Sequence, residues 1–145
     1  MSILDTISKS SSNVYKEWDH IMDSAIYEHP IFLQHNHDNL VMLNLTTLNN
    51  LFRTLKFHIS LVPEDDDSIT GTFEGLGLTE NAASRESCVT ALLKAMRTYA
   101  KNFYEEFAFW STASNLKLHI PYVLKIFSSS DTQLRKDIVC YDKLF

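Results

Sequence analysis

Residues 57–73 read FHISLVPEDDDSITGTF and residues 84–111 read SRESCVTALLKAMRTYAKNFYEEFAFWS. In the first stretch Phe57, Ile59 and Leu61 alternate with His58 and Ser60. A polar turn, Pro63 to Ser68, follows, and then Ile69, Gly71 and Phe73 alternate with Thr70 and Thr72. Period two on both sides of a turn predicts a β-hairpin. Gly75-Leu76-Gly77-Leu78 starts a third strand. In the second stretch Cys88, Leu92, Met96, Tyr99, Phe103, Phe107 and Trp110 recur at steps of three and four, with no Gly or Pro between them. That spacing predicts one long helix to about residue 111. Ser84 is its N-cap and Glu86 suits the positive end of the helix dipole. At roughly 1.5 Å per residue the helix spans about 38 Å. Strands and helix in separate runs make the class α+β.

Downstream, Pro121 fits the first turn of a helix containing Tyr122, Val123, Leu124, Ile126 and Phe127. Ser130-x-x-Gln133 has the form of a capping box for a last helix carrying Leu134, Ile138 and Val139. Upstream, Val14, Trp18, Ile21, Met22 and Ala25 lie at helical spacing behind the cap residues Ser11, Ser12 and Asn13, and His29-Pro30 ends that helix. Ile31-Phe32-Leu33 and Leu40-Val41-Met42-Leu43 flank Gln34–Asn39, which predicts a hairpin turning near Asn36–Asn39. Asn44 caps a short helix with Leu48, Leu51, Phe52 and Leu55 on its apolar face, and an extended segment around Ile3–Ile7 precedes the whole. The expected organisation is a helix, β-hairpin, short helix unit over residues 1–55. A β-hairpin/three-strand unit, one long helix and two short C-terminal helices then fill residues 56–145.

Composition narrows the function. The chain has 145 residues, 45% of them hydrophobic and 21% charged, as in an ordinary globular domain. Three Gly and three Pro are too few for a linker protein, and two cysteines, Cys88 and Cys140, cannot build a disulfide scaffold or a four-cysteine zinc site. No apolar run approaches the roughly 18 residues of a membrane span. The start, MSILDTISKSSS, lacks a basic stretch followed by an apolar core, so a cytoplasmic protein without a membrane association is expected. Net charge is -5 and uneven: residues 57–83 hold six acids and no base, while residues 84–145 hold nine bases against six acids. No basic stripe of the kind that supplies nucleic-acid affinity is visible.

The chemistry of an enzyme is also missing. There is no phosphate loop, dinucleotide fingerprint or nucleophile elbow. His35-Asn36-His37 could place two imidazoles on one side of a strand, but no further ligand is spaced to join them, and a hydrolase built on His35, His37 and His58 lacks a ligand set or nucleophile pairing. Glu64-Asp65-Asp66-Asp67 lacks the alternate ligands, the Gly and the distal Glu of a calcium loop, and reads as a solvated turn. Cys88 reads as a small core residue. Glu105 and Glu106 beside Tyr104 read as exposed helix carboxylates. The aromatic series Phe103, Tyr104, Phe107, Phe109 and Trp110 is wider than one core stripe needs, and the surplus suits a partner groove. These residues argue for a non-enzymatic protein with no cofactor and no metal.

The first half resembles the Phd/YefM family of antitoxins in Ser11-Ser12-Asn13-Val14-Tyr15-Lys16-Glu17-Trp18, His29-Pro30-Ile31-Phe32-Leu33 and Asn39-Leu40-Val41-Met42-Leu43-Asn44. The second half resembles a longer subgroup with a structured C-terminal extension, most specifically in Asn115-Leu116-Lys117-Leu118-His119-Ile120-Pro121-Tyr122-Val123-Leu124-Lys125. The resemblance implies a homodimer formed by residues 1–55, a RelE-like toxin as partner of the extension, and repression of its own operon through operator DNA. Where the family usually offers Arg near the first helix and in the hairpin, this chain has only Lys9 and Lys16 and the string Gln34-His35-Asn36-His37. That departure weighs against operator binding and leaves Lys9, Ser11, Asn13 and Lys16 as its candidate contacts. A RelE-like toxin acting on ribosomal RNA is basic, so Glu64, Asp65, Asp66, Asp67, Glu105 and Glu106 are candidates for steering it, with Trp110 as a buried anchor. The alternative is an orphan regulatory or interaction module of the same fold without a toxin partner.

Overall fold

The computed structural model describes residues 2–143. The chain divides into two compact units, residues 1–50 and residues 51–145.

The N-terminal unit opens with α1, Ile3–Ile7, where an extended segment was expected. The reason is local. Ser2 Oγ accepts from the Asp5 N–H while the Asp5 carboxylate accepts from the Ser2 N–H, a reciprocal cap that starts a helix despite two isoleucines. A two-residue strand β1, Lys9–Ser10, follows. The helix expected behind it is two helices: α2, Ser11–Lys16, capped by Ser10, and α3, Trp18–Tyr27. They are divided at Glu17, whose φ of -116° and ψ of 28° leave the helical region. Strands β2, Ile31–His35, and β3, Asp38–Met42, form the predicted hairpin. Asn36 takes φ 54°, a left-handed conformation that Asn tolerates. The sheet order is β1-β2-β3, with Lys9 parallel to Leu33. Asn44 Oδ1 accepts from the Thr46 N–H at 2.9 Å and so caps α4, Leu45–Leu51, as the sequence implies. The unit's buried apolar residues are Val14, Ile21, Ala25 and Ile31.

The C-terminal unit begins with β4, Phe57–Pro63, β5, Ile69–Phe73, and β6, Leu78–Ala82, an antiparallel meander. Helix α5, Arg85–Glu105, starts on the Ser84 cap. It ends six residues before its expected limit: Glu106, at φ -121°, separates it from the short α6, Phe107–Trp110. The break turns the chain while keeping Phe103 and Phe107 edge to face at 5.5 Å. A 3₁₀ turn, Lys117–His119, leads into α7, Ile120–Ser128, with Pro121 in its first turn as expected. Then come α8, Asp131–Asp137, and β7, Ile138–Asp142.

Strand β7 corrects the sequence reading, which put Ile138 and Val139 on the last helix. Half-buried Ile138 and Cys140 alternate with exposed Val139 and Tyr141, a strand period, and β7 pairs in parallel with β4, Phe57 to Ile138. The capping box is only half formed: Ser130 Oγ accepts from the Gln133 N–H, but the Gln133 amide donates to Asp137 instead. The sheet therefore has four strands, in the order β6-β5-β4-β7.

Phe57, Ile59, Leu61 and Phe73 pack against Cys88, Leu92 and Met96 of α5. Gly71 lets the helix settle on the sheet, since a Cβ there would lie 2.7 Å from Cys88 Sγ and 2.8 Å from Leu92 Cδ1. Cys88 is a core residue, and burial pushes its thiol up from its ordinary range. Arg97 of α5 donates to the Ser129 carbonyl at 2.8 Å and pairs with Asp131 at 2.7 Å, satisfying a carbonyl at the end of α7.

Candidate partner-binding surface

The last turns of α5, helix α6 and the 117–119 turn enclose a cavity of about 390 Å³ lined by Leu76, Tyr99, Phe103, Trp110, Leu116 and His119. Tyr99 Oη and His119 Nδ1 are hydrogen-bonded at 2.5 Å. Burial raises the Tyr99 hydroxyl and lowers the His119 imidazole, so both are neutral at pH 7. Trp110 is half-buried and packs on the core, while its neighbour Phe109 is 67% exposed. Tyr104 is exposed and packs edge to face on Phe127 of α7, and Leu118 is exposed in the 117–119 turn. The surplus aromatics thus divide: Phe103, Phe107 and Trp110 face inward, and Tyr104 and Phe109 face water.

The acidic candidates do not form one surface. Glu64, Asp65, Asp66 and Asp67 are exposed in the β4–β5 turn. There the Asp66 carboxylate accepts from the Ser68 hydroxyl and N–H, which hold it below its ordinary range, and Asp67 takes φ 66°. That turn lies at the end of the sheet where α5 begins, as the 2.9 Å pair between Arg85 and Asp142 marks. Glu105, Glu106 and Trp110 lie at the other end of the 21-residue helix, about 30 Å away at its ordinary rise. In the N-terminal unit, Lys9 lies on β1 while Ser11, Asn13 and Lys16 lie on α2, and Ser11 Oγ is 2.8 Å from His35 Nδ1. His37 sits in the hairpin turn, and among the described residues no group of three His, Cys, Asp or Glu could hold a metal.

A family model described as antitoxin of toxin–antitoxin, RelE/RelB, TA system, matches residues 6–140. The chain belongs to this antitoxin family. A solved structure from Syntrophomonas wolfei subsp. wolfei, the antitoxin part of a proposed toxin/antitoxin system, is similar over 94% of this chain and 99% of its own. The two share 25% identity with a TM-score of 0.87. No curated protein matches the antitoxin. Membership implies a toxin partner, and the family is one of antitoxins rather than enzymes. Among the described residues no helix is long and apolar enough to cross a membrane.

One feature of the antitoxin escaped the sequence reading. Lys125 is fully buried on α7. Its ammonium lies 3.1 Å from Asp137 and donates to the carbonyls of Phe52, at 2.8 Å, and Leu55. Lys56 takes the other Asp137 oxygen at 2.6 Å. A lone Lys inside Ile120–Phe127 was the available signal, but the partners lie 70 and 73 residues away in sequence for the two carbonyls, beyond any local pattern.

Proposed function

We propose that the antitoxin neutralises a RelE-like toxin by covering it, acting in the cytoplasm as a homodimer joined through the N-terminal unit. The observation that supports toxin docking on the C-terminal unit is Phe109, which is exposed and packs edge to face on Trp110 of the cavity at 5.0 Å, with Glu105 and Glu106 immediately before α6. Large exposed aromatics bordering a pocket are the usual anchors of a tight interface, and neighbouring acids suit a basic partner. The distant acidic turn, Glu64 to Asp67, would act on approach rather than on contact.

Homodimerisation is supported by the N-terminal unit's small core. Among the described residues, four buried apolar ones are little for a unit of about 50 residues, and Tyr15, Trp18, Ile26, Tyr27, Leu40 and Val41 are exposed on it. Operator binding, if it accompanies toxin binding, rests on Lys9, Ser11, Asn13 and Lys16.

The test is expression of the toxin encoded beside the antitoxin, with and without it. Wild type should restore growth, and Phe109→Ala with Trp110→Ala should lose about 1–3 kcal/mol of affinity, chiefly as faster dissociation. Replacing Glu64 and Asp65–Asp67 with Lys should slow association alone. Unchanged growth arrest with wild-type antitoxin would remove the toxin reading. A gel shift with upstream DNA, followed against salt, decides the operator role.

A further inference from the structure

Strand β6, Leu78–Ala82, is the last strand of its sheet, so among the described residues one side of its backbone has no neighbouring strand. Along that free edge runs a groove of about 540 Å³ between β6 and α5. Its strand wall is Leu78 and Glu80, and its helix wall is Ala91, Lys94, Ala95, Thr98, Tyr99 and Asn102. Thr79 and Asn81 point to the opposite face, where they bond Thr72 and Thr70. Ala91 and Ala95 leave space beside an edge strand, which an extended backbone can meet in series, although the Glu80 carbonyl already accepts from the Cys88 thiol at 3.5 Å.

The charge of the strand selects the occupant. Glu80 is half-buried at the centre of β6, whereas Lys94, on the helix wall, is exposed and free to extend into water. Asp131, Asp137, Asp142 and Glu105 have basic partners; among the described residues no ion pair reaches Glu80. A second copy pairing antiparallel on β6 would set Glu80 against Glu80, which is unfavourable. A strand with Lys or Arg at that position is matched. The groove also joins the Trp110 cavity, for Tyr99 and Asn102 line both.

We infer that the β6 edge receives an extended segment of the toxin, with a Lys or Arg opposite Glu80 and small residues toward α5. This rests on the toxin reading above and deepens it. The experiment measures binding of the toxin to wild type, Glu80→Lys and Ala95→Phe, together with amide hydrogen exchange of β6. Helical content by circular dichroism confirms that each variant folds. The expected result is at least tenfold weaker toxin binding in both variants and slowed exchange over residues 78–82 in the wild-type complex. Unchanged affinity in both variants, or unprotected β6 amides in the complex, would overturn strand addition while leaving toxin binding intact. If wild type binds no toxin, a nonapeptide of alternating valine and threonine with a central lysine decides. Protection of β6 in wild type but not in Glu80→Lys supports the groove, and no protection overturns it.

Discussion

Lys125 Nζ lies 3.1 Å from Asp137 Oδ2, and neither side chain is more than 4% exposed. With Lys56, Gln133 and the carbonyls of Phe52 and Leu55, the pair ties α7, the α8–β7 junction and the segment before β4 at one point. A buried ion pair owes its worth to complete hydrogen bonding rather than to attraction alone.

Lys125→Met leaves two carbonyls without their donor while Lys56 and Gln133 still hold Asp137. A loss of about 3 kcal/mol in urea unfolding is expected. Lys125→Met with Asp137→Leu should cost less than the two single changes summed, because no buried charge is then stranded.

Burial alone would push the Asp137 carboxyl up, but hydrogen bonds from Lys56, Gln133 and Lys125 outweigh it and hold the carboxyl at about 2. A depressed acid stabilises the fold above its unfolded value and loses that contribution as pH falls through the folded one. Roughly 2 kcal/mol should therefore disappear between about pH 4 and pH 2. Asp137→Asn should flatten that acid limb in thermal melts recorded across the range.

His119 is lowered by burial, so the unfolded chain binds the proton more readily. Stability should fall as pH drops below about 6.5 and stop falling once the folded imidazole also titrates. His119→Phe should remove this slope below pH 7 in urea unfolding followed against pH.

Gly71→Ala puts a Cβ where Cys88 and Leu92 already stand. Because helix and sheet cannot both keep their places, a loss of about 1–3 kcal/mol is expected from overpacking. Gly77, with φ 68° and open space around it, tests the other role of glycine: Gly77→Asn should be milder than Gly77→Val.

For the proposed homodimer, Leu40→Asp with Val41→Asp should shift sedimentation to a monomer, since both residues are about half exposed on edge strand β3. A dimer that persists unchanged would relocate the interface away from β3.

Local chemistry was readable along the chain. Alternation predicted β4 and β5, the Asn44, Ser84 and Ser130 caps started their helices, and the Cys88–Leu92–Met96 stripe became the buried face of α5. Each depends on interactions within a few residues, which a sequence displays. The N-terminal α1 depended on a cap of the same range, Ser2 with Asp5, that went unread. Other features depend on distant partners. Ile138 and Val139 suit a helix or a strand until β4 offers its edge, and Lys125 is a surface residue until Asp137 and two carbonyls meet it. Likewise the acids at 64–67 and 105–106 share a charge but not a surface, because a 21-residue helix stands between them. Secondary structure follows short-range hydrogen bonding and periodicity; the grouping of charges and the burial of a lysine follow from which elements the chain packs together.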